Sequence, residues 1–484
     1  MLTLADVFEA LTRVRPKAAN SLIITEGAVD SRQVIPGAMF IALPGERTDG
    51  HHYVASAIER GASFALIQHE LAEDLPVLDL RPWMSDSVSF EHKLAGLQAG
   101  LAKYAGSLCL LVDDSLKALQ QVARFWRDRH NVQVVGITGS VGKSTTKELV
   151  AEVLGQRYGT LKNKGNLNNE IGLPLTLLGL GPGHQRVVLE MGFYVPGEIA
   201  FLCDIARPRI GVITNIGTVH AERAGDQETI ARGKAELIQS LPADGVAILN
   251  ADDPWVKPMG KLTQARVLYY GLEPTAELWA DRVEGLGLEG IRFRMHFHGE
   301  VLHLRVPMIG RHSVQTALRA AAVGLADGLS WDEIISGLRS ASVQLRLIAV
   351  RAENGALILD DTYNASPESM LAALNLLDEM DGRKVAVLGD MLELGQYEWR
   401  GHELVGIRVS EVVQELVTLG ERGRMIAAAA CRAGLPARNI TELETVEQAI
   451  EFLRQRLAPQ DVVLVKGSHG MRMDRIVAAL EVRP

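Results

Sequence analysis

Short apolar runs, separated by stretches with helical spacing, set the rhythm of this chain. Between 132 and 249 the runs 132–137, 187–191, 210–215 and 246–250 are apolar at nearly every position rather than at alternate ones, the pattern of strands buried on both faces. Helical periodicity fills the intervals, so a doubly wound, mostly parallel α/β sheet is expected here. A second series, 356–359, 384–388, 416–419 and 462–465, repeats the alternation. One of its helices is expected over 366–380, opening on Ser366 as N-cap and Pro367 as first helical residue. Ahead of both series, from 21 to 68, the runs 39–43 and 64–67 alternate with turns and a helical stretch, 53–60, as in a small α/β domain. The segment 81–107 breaks the rhythm with mixed polarity before the run 108–112 and a helical pattern over 116–129. Boundaries are placed near Val112 and near Ala341, giving domains 1–112, 113–341 and 342–484.

Composition agrees with that division. A chain of 484 residues is too long for one core. With 47% hydrophobic and 23% charged residues, each domain can bury a core, and nothing reads as a disordered tail. The net charge of -9 offers no basic excess to displace phosphate counterions, so nucleic acid is not an expected partner and anionic ligands must be held locally. Cys109, Cys203 and Cys431 lie far apart without metal-type spacing and read as reduced core residues. Residues 1–15 lack a basic segment followed by an apolar core, and no apolar stretch is long enough to span a bilayer. No membrane insertion and a cytoplasmic location are expected.

The densest chemistry follows the run 132–135. Gly136-Ile-Thr-Gly139-Ser-Val-Gly142-Lys143-Ser144-Thr145 opens a helical pattern and reads as a phosphate cradle. Its glycines let backbone N–H groups turn toward phosphate oxygens, Lys143 can reach the β- and γ-phosphates, and the Ser144 hydroxyl can hold magnesium. The ligand implied is ATP. The usual first glycine is replaced by Ile137, so the loop is a variant; the competing reading is a plain glycine-rich strand-to-helix turn.

In a doubly wound sheet, ligands sit beyond the carboxyl ends of the strands. Glu190 closes one such run, where phosphate-loop enzymes often hold an acidic magnesium ligand. His220 follows another, after the turn at Gly217. Each also has a bland reading, Glu190 as a helix cap and His220 as a structural histidine. Lys234 falls on an apolar stripe with Ile230, Leu237, Ile238 and Leu241; its pattern favours a stem that snorkels its charge to solvent. The loop Lys162-Asn-Lys-Gly-Asn166-Leu-Asn168-Asn169-Glu170 is either a set of turns or an amide-lined surface for a polar substrate. In the last domain Asp360-Asp361-Thr-Tyr363-Asn364-Ala-Ser-Pro367 and Gly389-Asp390-Met-Leu-Glu393-Leu-Gly395 each follow a strand. They are expected to form a second ligand surface on one sheet edge, facing the phosphate loop.

Taken together these residues resemble the ATP-dependent Mur ligases of bacterial cell-wall synthesis over nearly the whole chain. Asp30-Ser31-Arg32, Phe40-Ile-Ala-Leu-Pro-Gly45 and Asp49-Gly50-His51 are similar to the family's uridine-nucleotide domain, and Thr138-Gly-Ser-Val-Gly-Lys-Ser-Thr145 to its ATP loop. Gly165-Asn-Leu-Asn-Asn-Glu-Ile-Gly172, Glu190-Met-Gly192, Pro196-Gly-Glu-Ile199 and the two acidic turns resemble the member that adds D-alanyl-D-alanine. The resemblance implies an α/β protein of three domains: a small N-terminal α/β domain for the nucleotide sugar, a central phosphate-loop ATPase domain and a C-terminal Rossmann-like ligase domain. It implies ATP and magnesium (Mg2+) as cofactors, UDP-N-acetylmuramoyl-tripeptide and D-alanyl-D-alanine as substrates, and a monomer.

Family roles then fall on residues as follows. Thr138, Gly139, Ser140, Val141, Gly142, Lys143, Ser144 and Thr145, with Thr316, Arg346 and Asp361, go to the nucleotide. Ser144, Glu190, His220 and Lys234 go to metal, Lys234 as a carbamate; with Lys143, the last three are the catalytic set. Ser31, Arg32, Asp49, Gly50, His51, Asn166, Asn168, Asn169, Tyr363, Asn364 and Asp390 go to the substrates. A carbamate would turn a costly buried cation into an anionic metal ligand, an alternative to snorkelling. The chain departs from the family after Gly310-Arg-His312, where Ser313 and Thr316 stand in place of asparagines, the latter of which touches adenine. A ligase adding another amino acid to the muramoyl chain, or glutamate to a folate, is the near rival. A regulatory NTPase fits less well, because Asn163-Lys164-Gly165-Asn166 lacks the carboxylate of a guanine reader.

Overall fold

The computed structural model describes all residues except 46–47, 72–74, 86, 103–106, 219–220, 341–347 and 483–484. The protein is α/β, with three sheets of five, nine and six strands, in agreement with the expected fold class. The chain divides into two compact units: 1–136, 158–192 and 200–208 in the first, and 137–157, 193–199 and 209–484 in the second.

In the first unit the five-stranded sheet runs Gly27–Ala28, Met39–Ile41, Phe64–Ile67, Leu108–Leu111 and Val77–Asp79, parallel throughout. One of its cores gathers Phe40, Ala65, Ile67, Cys109 and Leu111. Farther along the unit, Thr160–Lys162 pairs in parallel with Arg186–Glu190.

The second unit holds Ile210–Ile213, Val246–Asn250, Arg266–Gly271 and Leu278–Gly285 in parallel register, then Ile291–Phe297 and Glu300–Val306 as an antiparallel extension. Its six-stranded sheet is Ile348–Arg351, Leu357–Asp360, Asp461–Lys466, Arg383–Gly389, Glu415–Leu419 and Ile440–Leu443; only the first strand is antiparallel. Helices cover both faces, so neighbours along one strand serve opposite cores. Ala386 and Leu388 pack with Met370 and Leu374 of Pro367–Glu379, whereas Val385 and Val387 pack with Ala449 and Ile476. That double burial explains the unbroken apolar runs. Because Leu357–Asp360, Asp461–Lys466 and Arg383–Gly389 are mutually parallel, the turns that follow them leave one edge together, as expected for two of the three.

Two features were not anticipated. The segment 81–107 contains the helix Phe90–Leu101, capped by Ser89, with Lys93 buried and its ammonium donating to the Thr12 carbonyl at 3.2 Å. The antiparallel strands beyond Arg266–Gly271 form the far edge of the central sheet.

Candidate active site

The phosphate loop is built on two glycines whose positive φ other residues rarely adopt. Gly139 has φ 145°, and a Cβ there would lie 1.9 Å from Thr214 Oγ1; Gly142, at φ 82°, precedes the helix Lys143–Gly155. The turn after Ile210–Ile213 braces the loop. Thr214 Oγ1 donates to the Val141 carbonyl at 2.7 Å, the Val141 N–H donates to Asn215 Oδ1 at 2.9 Å, and Asn215 Nδ2 returns a bond to the Val141 carbonyl at 3.1 Å. Ser140 Oγ accepts from the Gly217 N–H at 2.9 Å. Lys143 folds over its own loop, donating to the carbonyls of Gly139 at 2.9 Å and Ser140 at 3.2 Å. The result is a fixed loop at a helix N-terminus, where N–H groups and the positive end of the dipole favour an anion.

Lys234, on the helix Gln227–Gln239, does not snorkel. It is 1% exposed; its ammonium donates to the Gly139 carbonyl at 3.0 Å and stands 4.7 Å from the Phe193 ring centre. The neighbouring Gly233 is needed for that ring, since a Cβ there would meet Phe193 at 2.1 Å. The stripe on which the lysine sits is covered along its whole length, which periodicity alone does not reveal.

A cavity of about 170 Å³ opens beside the loop. Ser140, Gly142 and Thr145 line it on one side and Asp361, Tyr363 and Asn364 on another. Thr316 and Ser313 of the helix Ser313–Ala326 complete it, together with an apolar wall of Ile309, Ala372 and Ala373. The expected meeting of the phosphate loop with the turn 361–366 is therefore present. Lys466, which the sequence reading missed, also lines this cavity; it is buried, its ammonium 2.7 Å from Asp361 Oδ2 and donating to the Asn364 carbonyl at 2.8 Å. The signal was a lysine directly after the apolar run 462–465, at the sheet's ligand edge.

Asp390 lies on that edge but not on the cavity. Its Oδ1 accepts from the Gly423 N–H at 2.8 Å, at the start of the helix Gly423–Arg432. The Ser468 N–H donates to the Asp390 carbonyl at 3.0 Å, linking two of the three turns.

In the first unit Glu190 is 1% exposed and ends its strand between two asparagines. Asn168 Nδ2 donates to Glu190 Oε1 at 2.9 Å, and Asn163 binds the Glu190 backbone in both directions, at 3.0 and 3.1 Å. The amide cluster thus divides its work. Asn163 holds the Glu190 backbone and Asn168 its carboxylate, Asn169 Oδ1 accepts from the Gly172 N–H at 2.9 Å at the start of Gly172–Leu178, and Asn166 is exposed.

The motif Asp30-Ser31-Arg32 folds on itself: the Arg32 guanidinium pairs with Asp30 at 2.8 Å, and Ser31 is buried. At Asp49-Gly50-His51, a Cβ on Gly50 would lie 2.8 Å from the Leu43 backbone. Asp49 faces His51 Nδ1 at 2.6 Å and His69 Nε2 at 2.9 Å, and the two rings stack at 3.7 Å. Partial burial pushes the Asp49 carboxyl up, but the bonds from His51 and His69 outweigh it and hold the group well below the usual carboxylate range. Burial pulls His51 down, whereas the Glu70 carbonyl and Asp49 raise His69. These three side chains are close enough for a cation, yet the Gln68 N–H donates to His51 Nε2 at 3.0 Å, so both His51 nitrogens are already engaged. His220 and Arg346 lie outside the described residues.

A phosphate loop and the turns of a second α/β sheet, lining one cavity, define the class of multidomain ATP-dependent ligases. Comparison with known proteins names the family. The Mur ligase family catalytic domain matches residues 24–127, the Mur ligase middle domain 137–324, and the Mur ligase glutamate ligase domain 345–469. The chain belongs to the Mur ligase family. It is 35% identical to the UDP-N-acetylmuramoyl-tripeptide--D-alanyl-D-alanine ligase of Mycobacterium tuberculosis, over 99% of this chain and 97% of the relative. Among solved structures it resembles MurF from Acinetobacter baumannii at 30% identity and a TM-score of 0.81, covering 98% of this chain and 97% of that one. MurF ligase from Thermotoga maritima in complex with ADP is similar at 27% identity and a TM-score of 0.76, covering 95% and 97%.

Proposed function

We propose that this protein joins D-alanyl-D-alanine to UDP-N-acetylmuramoyl-tripeptide with ATP, in the synthesis of peptidoglycan precursor. The observation that carries this reading is the single cavity lined by both the phosphate loop and the turn 361–366. Likeness over nearly the full length to UDP-N-acetylmuramoyl-tripeptide--D-alanyl-D-alanine ligases supports it.

In the reaction a terminal carboxylate oxygen of the tripeptide attacks the γ-phosphorus, and ADP leaves. The amine of D-alanyl-D-alanine then attacks the acyl carbon of the acyl phosphate, loses a proton, and the tetrahedral intermediate expels phosphate. Residues 138–145 cradle the triphosphate, with Lys143 neutralising it as charge moves. Thr316, Arg346 and Asp361 hold the adenosine part. Ser144, Glu190, His220 and Lys234 as a carbamate are the proposed magnesium set. The donor chemistry fits, because hydroxyl and carboxylate oxygens suit a hard cation. Magnesium, when bound, offsets repulsion between the carboxylate and the triphosphate. Ser31, Arg32, Asp49, Gly50 and His51 are proposed for the uridine nucleotide. Asn166, Asn168, Asn169, Tyr363 and Asn364 are proposed for the peptide parts, and Asp390 shapes the turn beside them.

Domain limits at 112/113 and 341/342, a monomeric state and a cytoplasmic location belong to the same proposal. Among the described residues no helix is long and apolar enough to cross a membrane.

The deciding experiment labels the tripeptide carboxylate with oxygen-18. One label is expected in released phosphate, and ADP is expected to accumulate in step with product only when D-alanyl-D-alanine is present. Label retained wholly in the peptide, or equal ADP release without the amine, overturns the proposal.

A further inference from the structure

Arg319, on the helix Ser313–Ala326, has no part in the roles above and is 4% exposed. Its Nη1 donates to Thr146 Oγ1 at 2.7 Å and its Nε to the Gln315 carbonyl at 3.0 Å; Cζ lies 5.8 Å from the centre of the Tyr270 ring. Among the described residues it forms no ion pair, and burial pulls the guanidinium below its ordinary value. A guanidinium fixed in such a place is costly unless something anionic faces it.

Its surroundings say where that anion belongs. Nη1 is 3.1 Å from the point a Cβ on Gly142 would occupy. Thr146 Oγ1, which accepts from Arg319, itself donates to the Gly142 carbonyl at 2.6 Å. On the other side Tyr270 OH donates to the Thr214 carbonyl at 3.2 Å, and Thr214 holds Val141. The guanidinium therefore stands against the back of the phosphate loop, joined to it by hydrogen bonds through Thr146 and lying beside the Tyr270 ring, whose hydroxyl bonds the Thr214 carbonyl.

We infer that Arg319 is a positioning residue for the polyphosphate: a fixed positive charge behind the loop that is balanced when phosphate groups occupy the front, so that affinity rises with phosphate number. This rests on the ATP-dependent reading above. Low dielectric and fixed distance make such a charge effective without direct contact, and its sign favours ATP and ADP over AMP and adenosine.

The test uses the full-length enzyme and two neutral replacements, Arg319→Met and Arg319→Gln, with Arg319→Lys as the charge-keeping control. Calorimetry with ADP, AMP and adenosine, alongside melting of the ligand-free proteins, separates charge from packing. Expected are a loss of ADP affinity on the order of 10- to 100-fold, a smaller loss for AMP and none for adenosine. The ligand-free neutral variants should melt no lower than wild type, because an unbalanced buried charge has gone, and Arg319→Lys should recover most of the ADP affinity. An ADP affinity within about twofold of wild type in a folded neutral variant, or equal losses for ADP and adenosine, overturns the inference. So does failure of both neutral variants to fold, which makes the charge a packing requirement. Wild-type protein that binds no nucleotide would instead remove the ATP-dependent reading itself.

Discussion

The most telling single side chain is Lys234, because its spacing and its surroundings point in different directions. Spacing on an apolar stripe allowed its charge to reach water; in the fold the ammonium is enclosed by Gly139 and Phe193. An enclosed lysine is a candidate for carbamoylation, so Lys234→Ala should lower kcat by on the order of 10²-fold or more. Short carboxylic acids should restore part of the rate by supplying the missing oxygens. An alanine variant of near-normal activity would refute the carbamate. Lys143 tests the loop: Lys143→Ala should lose about 10²- to 10³-fold in kcat/KM with an unchanged melting temperature, since the side chain lies on the loop, where it donates to the Gly139 and Ser140 carbonyls, rather than in a core. Thr316 tests the base. A hydroxyl cannot reproduce an amide's paired donor and acceptor, so Thr316→Asn should sharpen the preference for ATP over GTP by about tenfold. An unchanged ratio of kcat/KM values would assign base reading to another residue. The loop, Glu190 and the 361–366 turn were legible because each combines a strand end with an unusual polar string. Lys466 and Arg319 were not, since a buried lysine or arginine looks like a surface one until its neighbours are known.

At the scale of elements, buried parallel strands were the easiest to read. The expected run 246–250 coincides with Val246–Asn250, and the expected helix at Ser366-Pro367 begins where the N-cap and proline placed it. The antiparallel strands were missed although Ile291–Phe297 alternates apolar and polar residues, a period-two signal of a half-exposed sheet that differs from the unbroken runs elsewhere. The helix Phe90–Leu101 was hidden by scattered small and charged residues that give it no clear apolar face. One element-scale prediction concerns the Asp49 turn. His69 titrates above its ordinary value of 6.5, so its stabilising contribution is complete below pH 6.5 and is lost as pH rises through the raised value. Its ring is half exposed, which limits the effect to about 0.5 kcal/mol. The melting difference between wild type and His69→Ala should therefore be larger at acidic than at alkaline pH, and an equal difference at both would contradict this account.

For the molecule as a whole, the repeated alternation of strand and helix foretold three sheets, but not how the turns of the last one meet the loops of the central one. Within the second unit those contacts are specific. The Thr218 N–H donates to Glu368 Oε1 at 3.3 Å, the Glu222 N–H to the Glu393 carbonyl at 3.3 Å, and Gln396 Nε2 to the Gly225 carbonyl at 3.1 Å. Glu368 is the informative one. It lies in the first turn of Pro367–Glu379, its Oε2 is buried without a hydrogen-bond partner among the described residues, and Gly217 approaches so closely that a Cβ there would stand 2.7 Å from Oε1. This carboxylate therefore helps to hold the 361–366 turn against the strand-end turn that also braces the phosphate loop through Ser140. If the acyl phosphate forms on one side of this junction and the acceptor amine is held on the other, loosening the junction should spoil their alignment before it spoils ATP binding. Glu368→Ala should accordingly lower kcat about 3- to 10-fold, leave KM for ATP nearly unchanged, and raise ADP formed per amide bond above one as water intercepts the acyl phosphate. Parallel measurement of ADP and pentapeptide product checks this directly. A folded variant that keeps one ADP per amide bond and a wild-type kcat would show that the junction does not align the two half-reactions.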